Sequence, residues 1–175
     1  MKKRSHPKGL TPLVAGLAAL AAMTTVAHAD IAVRFDEGAP KDRFTFQNVG
    51  SCPIGNSELT LDISGSKSGL IFDTTGNGAG VEVFQPLEIV SGSASLSSFT
   101  SARDGDKQIT FSILELQPGD SIAFTIDVDD TSGNREITVS GSEIEGAIVR
   151  HDQNGKTSTA IISSDARALL KTDTC

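Results

Sequence analysis

Ile122, Phe124, Ile126 and Val128 occupy every second position of one run, and Ile109, Phe111 and Ile113 repeat the pattern just upstream. A period of two sends successive side chains to opposite faces of a strand, so each of these runs has one apolar face that needs a core. This rhythm constrains the fold more than any other feature, because it recurs along most of the chain. It marks Phe44–Val49, the triplet Leu59, Leu61 and Ile63, the short apolar Leu70–Phe72, then Ile137 and Val139, Ile144–Val149 and Thr157–Ile162. Leu96–Ser101 is a fainter strand signal. Val81–Val90 is strand-like but contains Pro86, which places it at an edge or a bulge.

Turn chemistry separates the runs. Asp104-Gly105-Asp106, Pro118-Gly119, Ser132-Gly133-Asn134 and Asn154-Gly155 fall between them, and Asn154-Gly155 has the composition of a two-residue hairpin tip. The stretch from Ile109 to Val128 reads as two antiparallel strands joined at Pro118-Gly119. Short strands punctuated this often predict an all-β fold, an antiparallel β-sandwich of immunoglobulin-like or jelly-roll-like type. Helical character is expected only in a short C-terminal turn over Ser164–Lys171.

Residues 1–29 read as a cleaved signal peptide. Lys2, Lys3, Arg4 and Lys8 precede an apolar stretch from Leu10 to Val26, and Ala27-His28-Ala29 supplies the small-x-small pattern before Asp30. Residues 30–175 then form a single domain, large enough for its own core. The leader takes four of the 15 basic residues and none of the 22 acidic ones, so the mature charge is 11 against 22, or −11. Such a surface repels phosphate backbones, which argues against nucleic acid as a partner. No mature segment is long and apolar enough to span a bilayer. Localisation is expected to be periplasmic, cell-surface or extracellular. In that oxidising setting Cys52 and Cys175 are an even pair, expected to form one disulfide, with two free thiols as the alternative.

Catalytic patterns are missing. No Gly-x-Ser-x-Gly elbow presents a nucleophile, and His151 is the only histidine after the leader, read as a solvated residue near a hairpin tip. Acidic pairs for polymer hydrolysis are available, but the chain has no Trp and no Tyr to serve as a sugar platform. The sharper chemical signal is Asp127, Asp129 and Asp130, which follow the apolar run. Aspartates two apart on a strand lie about 6.5–7 Å apart on one face and can lean toward one ion. Calcium needs six to eight oxygens, so further ligands are expected from the glycine-rich loop that holds Asp73, Asn77 and Glu82. The competing reading is an acidic strand edge, solvent-facing, that runs into a turn. Asp104-Gly105-Asp106 reads first as a hairpin turn and second as a cation candidate.

Three stretches together, Asn48–Gly55 (NVGSCPIG), Gly69–Gly92 (GLIFDTTGNGAGVEVFQPLEIVSG) and Pro118–Asp130 (PGDSIAFTIDVDD), resemble bacterial secreted proteins called aggregation-factor-core-like, after the core protein of sponge aggregation factors. The resemblance implies calcium-dependent adhesion or an extracellular-matrix role and carries no catalytic residues. The expected function is therefore a secreted, non-enzymatic binding or adhesion module with calcium as its ion. Its partner would be an extracellular protein, a surface polymer or a second copy. A ligand-free structural domain is the first alternative and a carboxylate-based hydrolase the second.

Overall fold

The computed structural model describes residues 1, 27–78, 80, 84–132 and 138–172. Among the described residues eleven strands follow one another: β1 (Ile31–Asp36), β2 (Asp42–Asn48), β3 (Ile54–Asp62), β4 (Ile71–Asp73), β5 (Glu88–Ser91), β6 (Leu96–Phe99), β7 (Gln108–Leu116), β8 (Ser121–Asp129), β9 (Ile148–Gln153), β10 (Lys156–Ile161) and β11 (Arg167–Leu170). One sheet has the order β11-β1-β2-β8-β4, with β5 also on β8, and the other β10-β9-β3-β7-β6. Every pairing is antiparallel. Among the described residues no helix is long and apolar enough to cross a membrane.

The alternating residues do what their period requires. Phe44, Phe46, Ile122, Phe124 and Ile126 from one sheet meet Leu59, Leu61, Ile109, Phe111 and Ile113 from the other, all buried. Phe111 is the junction, 4.9 Å from the ring of Phe124 and 5.9 Å from that of Phe46. Contacts at these separations add roughly 0.5–1.5 kcal/mol each beyond burial itself. The β9–β10 hairpin closes at Asn154 and Gly155, whose φ angles of 52° and 76° are those of a type I′ turn.

Three expectations are corrected here. Residues 164–171 form no helical turn: Arg167–Leu170 is β11, paired with Ile31–Arg34 of β1, because an open edge of β1 captures the segment more profitably than a short isolated helix would form. The Pro118-Gly119 turn does not close a hairpin: β7 and β8 belong to different sheets, and the turn carries the chain across the sandwich. Asn48 pins this corner. Its backbone oxygen accepts from Gly119 N at 2.8 Å and its side-chain amide donates to the carbonyls of Leu116 and Cys52, each at 2.9 Å. His151 lies in β9 beside Leu59 and points into the core, 2% exposed, instead of standing in a solvated loop.

Cys52 packs against the core at this same corner. Ser51 N donates to His28 O at 2.7 Å and Thr172 Oγ1 donates to Ala29 O, so the start of the fold holds both the Cys52 loop and the end of β11. Cys175 lies outside the described residues.

Candidate metal centre

The site is built on the outer half of β8. Its apolar residues use the core-facing side, which leaves Asp127 and Asp129 together on the opposite face. One edge of β8 is taken by β2. The other is shared by two short strands, β5 opposite Phe124–Thr125 and β4 opposite Asp127–Asp129. Asp73, the last residue of β4, is directly opposite Asp127, and Ile71 is opposite Asp129. Register therefore puts Asp73, Asp127 and Asp129 on one patch of one face.

That face is not open to water. Asp73 is 0% exposed, Asp127 4% and Asp129 2%, which corrects the solvent-facing edge expected from alternation alone. Gln85 joins the main chain of β4 and β8 here: Gln85 N donates to Asp73 O at 3.3 Å and Asp127 N to Gln85 O at 3.2 Å. Glycine is required where this loop passes the carboxylates. A Cβ on Gly80 would overlap Oδ2 of both Asp73 and Asp129, and one on Gly78 would overlap the Asp104 carboxylate.

Asp104 arrives from the other sheet. Residues 104–105 do form a turn, and it docks on the free edge of β4, where Phe72 N donates to Asp106 O and Gly105 N to Phe72 O, both at 2.9 Å. Oδ1 of Asp104 then accepts from Thr74 N at 3.2 Å. Asp42, at the start of β2, borders the cluster from the opposite edge of β8, its oxygens accepting from Gly38 N at 3.0 Å and Val128 N at 3.2 Å. Nothing in the sequence pattern singled out Asp42. Its place depends on the register of β2 against β8. Asp130, also buried, lies one residue past β8, where the chain turns to bonds with Ser68 and Gly69. Glu82 lies outside the described residues, and Asn77 is exposed.

The electrostatics follow from this burial. Desolvation, joined by the neighbouring carboxylates of Asp104 and Asp129, pushes Asp73 up to about 7. Desolvation and the charge of Asp129 push Asp127 up to about 7. Desolvation dominates at Asp42 too, where Asp127 and Asp129 help to raise it to about 8 against two backbone donors. Oδ2 of Asp127 is buried without a hydrogen-bond partner, and Asp73, its oxygens also buried, has the Asp104 carboxyl and the Thr75 N–H beside it, the latter offsetting the rise only in part. Lys41, one of the two basic neighbours of Asp42 in sequence, is bonded instead to Glu88 at 2.6 Å. Among the described residues no group of three or more His, Cys, Asp or Glu side chains forms a closed metal-holding set. The fold supplies instead a buried acidic cluster.

No protein-family model matches the chain, and comparison with curated proteins gives no match.

Proposed function

We propose that the protein is an exported, non-enzymatic binding or adhesion module whose outer β4–β8 corner is locked by a divalent cation, most naturally calcium. The observation that carries this is the burial of Asp73, Asp127 and Asp129 side by side on one face, with too few donors to offset their charge. An unpaired ionised carboxylate in such a place costs several kcal/mol, and the cost is relieved only by a proton or by a cation. Oxygen-only donors of this kind suit a hard ion. Asp73, Asp127 and Asp129 would hold it, with Asp104 beside them. The leader-like residues 1–29, the mature charge of −11 and the resemblance to aggregation-factor-core-like proteins support an extracellular adhesive role, toward a protein, a surface polymer or a second copy. A Cys52–Cys175 bridge would staple the end of the chain to the Asn48 corner. Over so long a loop it would contribute roughly 4–5 kcal/mol in the chain-entropy model.

One observation favours a ligand-free structural role: carboxyls raised to about 7 can hold protons and leave the pocket neutral without an ion. A hydrolase is less well supported. The raised carboxyls that would suit an acid catalyst are sealed, and Asp152 is held ionised by hydrogen bonds from Thr157 and Arg150. Thermal unfolding of oxidised residues 30–175 in EDTA, in millimolar calcium and in millimolar magnesium separates these readings. Binding to the native state alone adds about 2.7 kcal/mol at a hundredfold excess over Kd. A calcium-selective rise in midpoint is expected; no rise at saturating calcium leaves the ligand-free role.

A further inference from the structure

The edge of a sheet carries unpaired main-chain groups, and this fold blunts most of its edges. The edge of β4 is taken by the turn at 104–106, where Phe72 N donates to Asp106 O and Gly105 N to Phe72 O. β5 and β6 are four residues long, and a register shift breaks each of them. β11 is as short, and its Arg167 O already accepts from Ser163 N and Ser163 Oγ. β10 is different. It is six residues long, contains no proline or glycine, pairs with β9 in unbroken register and ends its sheet.

Register shows which main-chain groups of β10 face outward. The tight Asn154-Gly155 turn makes Gln153 and Lys156 a hydrogen-bonded pair, and such pairs alternate with non-bonded ones along an antiparallel ladder. Ile162 N keeps the same phase at the other end, donating to Ala147 O at 2.8 Å. Lys156, Ser158 and Ala160 therefore bond to β9, whereas Thr157, Thr159 and Ile161 turn N–H and C=O away from it. Among the described residues no other strand or loop main chain pairs with these three. Their side chains are exposed on the outer face, and Ile161, 66% exposed, lies beside Ile148 at 37%. All three are β-branched, a type that suits a paired strand. The one charge of β10, Lys156, lies outside the triplet.

The geometry points to self-association: β10 of one copy pairs antiparallel with β10 of a second about a two-fold axis at Thr159, joining two five-stranded sheets into one. Thr159 then stands opposite its own counterpart and Thr157 opposite Ile161 of the other copy, each pair exchanging two main-chain bonds. Three alternate outward residues are self-complementary in this way, because the triplet meets its own reverse. Lys156 and its counterpart fall at opposite ends, so no like charges face each other across the seam. Each Ile161 gains the Thr157 methyl of the other copy as its cross-strand neighbour. The contact consumes both β10 edges and stops at two copies. An edge contact buries little area, so the dimer is weak. β10 ends beside β11, at the opposite edge of the sandwich from β4, so both acidic corners stay clear of the seam. The inference rests on the binding reading above only in choosing the second copy among its partners, and it needs no cation.

The test is sedimentation velocity of the mature chain from about 5 μM to about 0.5 mM, a range that spans weak association, in EDTA and again in millimolar calcium. A monomer–dimer equilibrium is expected in both, with the amides of Thr157, Thr159 and Ile161 exchanging more slowly as dimer forms. Thr159→Pro removes a donor that β9 does not use, and Thr159→Lys sets like charges at the axis beside Arg150 of each copy. Each should raise the dimer Kd at least about fivefold while β-sheet circular dichroism and cooperative melting persist. Mixing Thr159→Lys with Thr159→Glu puts opposite charges at the axis and should restore association. A chain that stays monomeric throughout this range in both buffers overturns the inference. So does a dimer that both Thr159→Pro and Thr159→Lys leave intact, or growth beyond two copies. A dimer whose melting midpoint ignores calcium overturns the cation reading alone.

Discussion

Replacing Asp73 and Asp127 together by Asn tests the acidic pocket through its proton linkage. Unfolded aspartate titrates near 3.8, whereas folded Asp73 and Asp127 titrate near 7. Between those values the folded chain binds more protons than the unfolded one, so stability falls as pH rises. The contribution is fully present below about pH 4 and lost once the pH passes 7. Each pKa unit corresponds to about 1.4 kcal/mol. The carboxyls share one field, so their contributions do not add. An expected loss of about 2–4 kcal/mol for the cluster between pH 5 and 8 allows for this. For a domain of this size that is a fall in midpoint of roughly 5–15 °C. The assay is urea or thermal unfolding in EDTA across that range. The double Asn variant should be flatter in pH, keeping the slope of Asp42 and the opposite slope of the buried His151 below about pH 6.5, and more stable than the parent at pH 8. In calcium the parent should recover its lost stability and the variant should not. A parent that grows more stable from pH 5 to 8 in EDTA would show that the pocket is not a store of buried protons, and would remove the electrostatic basis for the cation.

Other perturbations give independent readings. Gly80→Ala places a methyl on the Oδ2 atoms of Asp73 and Asp129 and should cost roughly 1–3 kcal/mol in urea unfolding, with loss of any calcium response. Phe111→Ala removes the ring that joins the two sheets and should cost about 3–5 kcal/mol, read from the urea midpoint. Burial depresses the His151 imidazole below its usual range, so its contribution is present above about pH 6.5 and lost as pH falls through the depressed value. His151→Leu should therefore stabilise the protein at pH 5 relative to pH 7, and a variant that keeps the parent's acid limb would count against a buried neutral histidine.

Most of the strands were legible because one apolar face of each is buried, and burial of one face writes a period of two into the residues. Phe44–Asn48, Ile109–Ile113 and Ile122–Val128 could be read directly, as could the Asn154-Gly155 tip, whose left-handed conformations demand those residue types. Arg167–Leu170 could not, since a four-residue strand spans barely one helical turn, too short to show either period, and is decided by the vacant edge of β1. The acidic run was visible as chemistry but not as environment. Alternation correctly separated Asp127 and Asp129 from the core-facing residues, yet it cannot say whether the far face meets water or another segment.

The sequence by itself determined that this chain would form antiparallel strands around an aromatic core and that three aspartates would crowd the end of one of them. Those are local properties of side-chain order. Only the tertiary structure decided that Asp73 stands opposite Asp127, that Asp104 and Asp42 approach from separate elements, and that Gly78 and Gly80 pass close against the carboxylates. Register and loop closure join residues far apart in the chain, and no local pattern encodes which distant partner will cover a face.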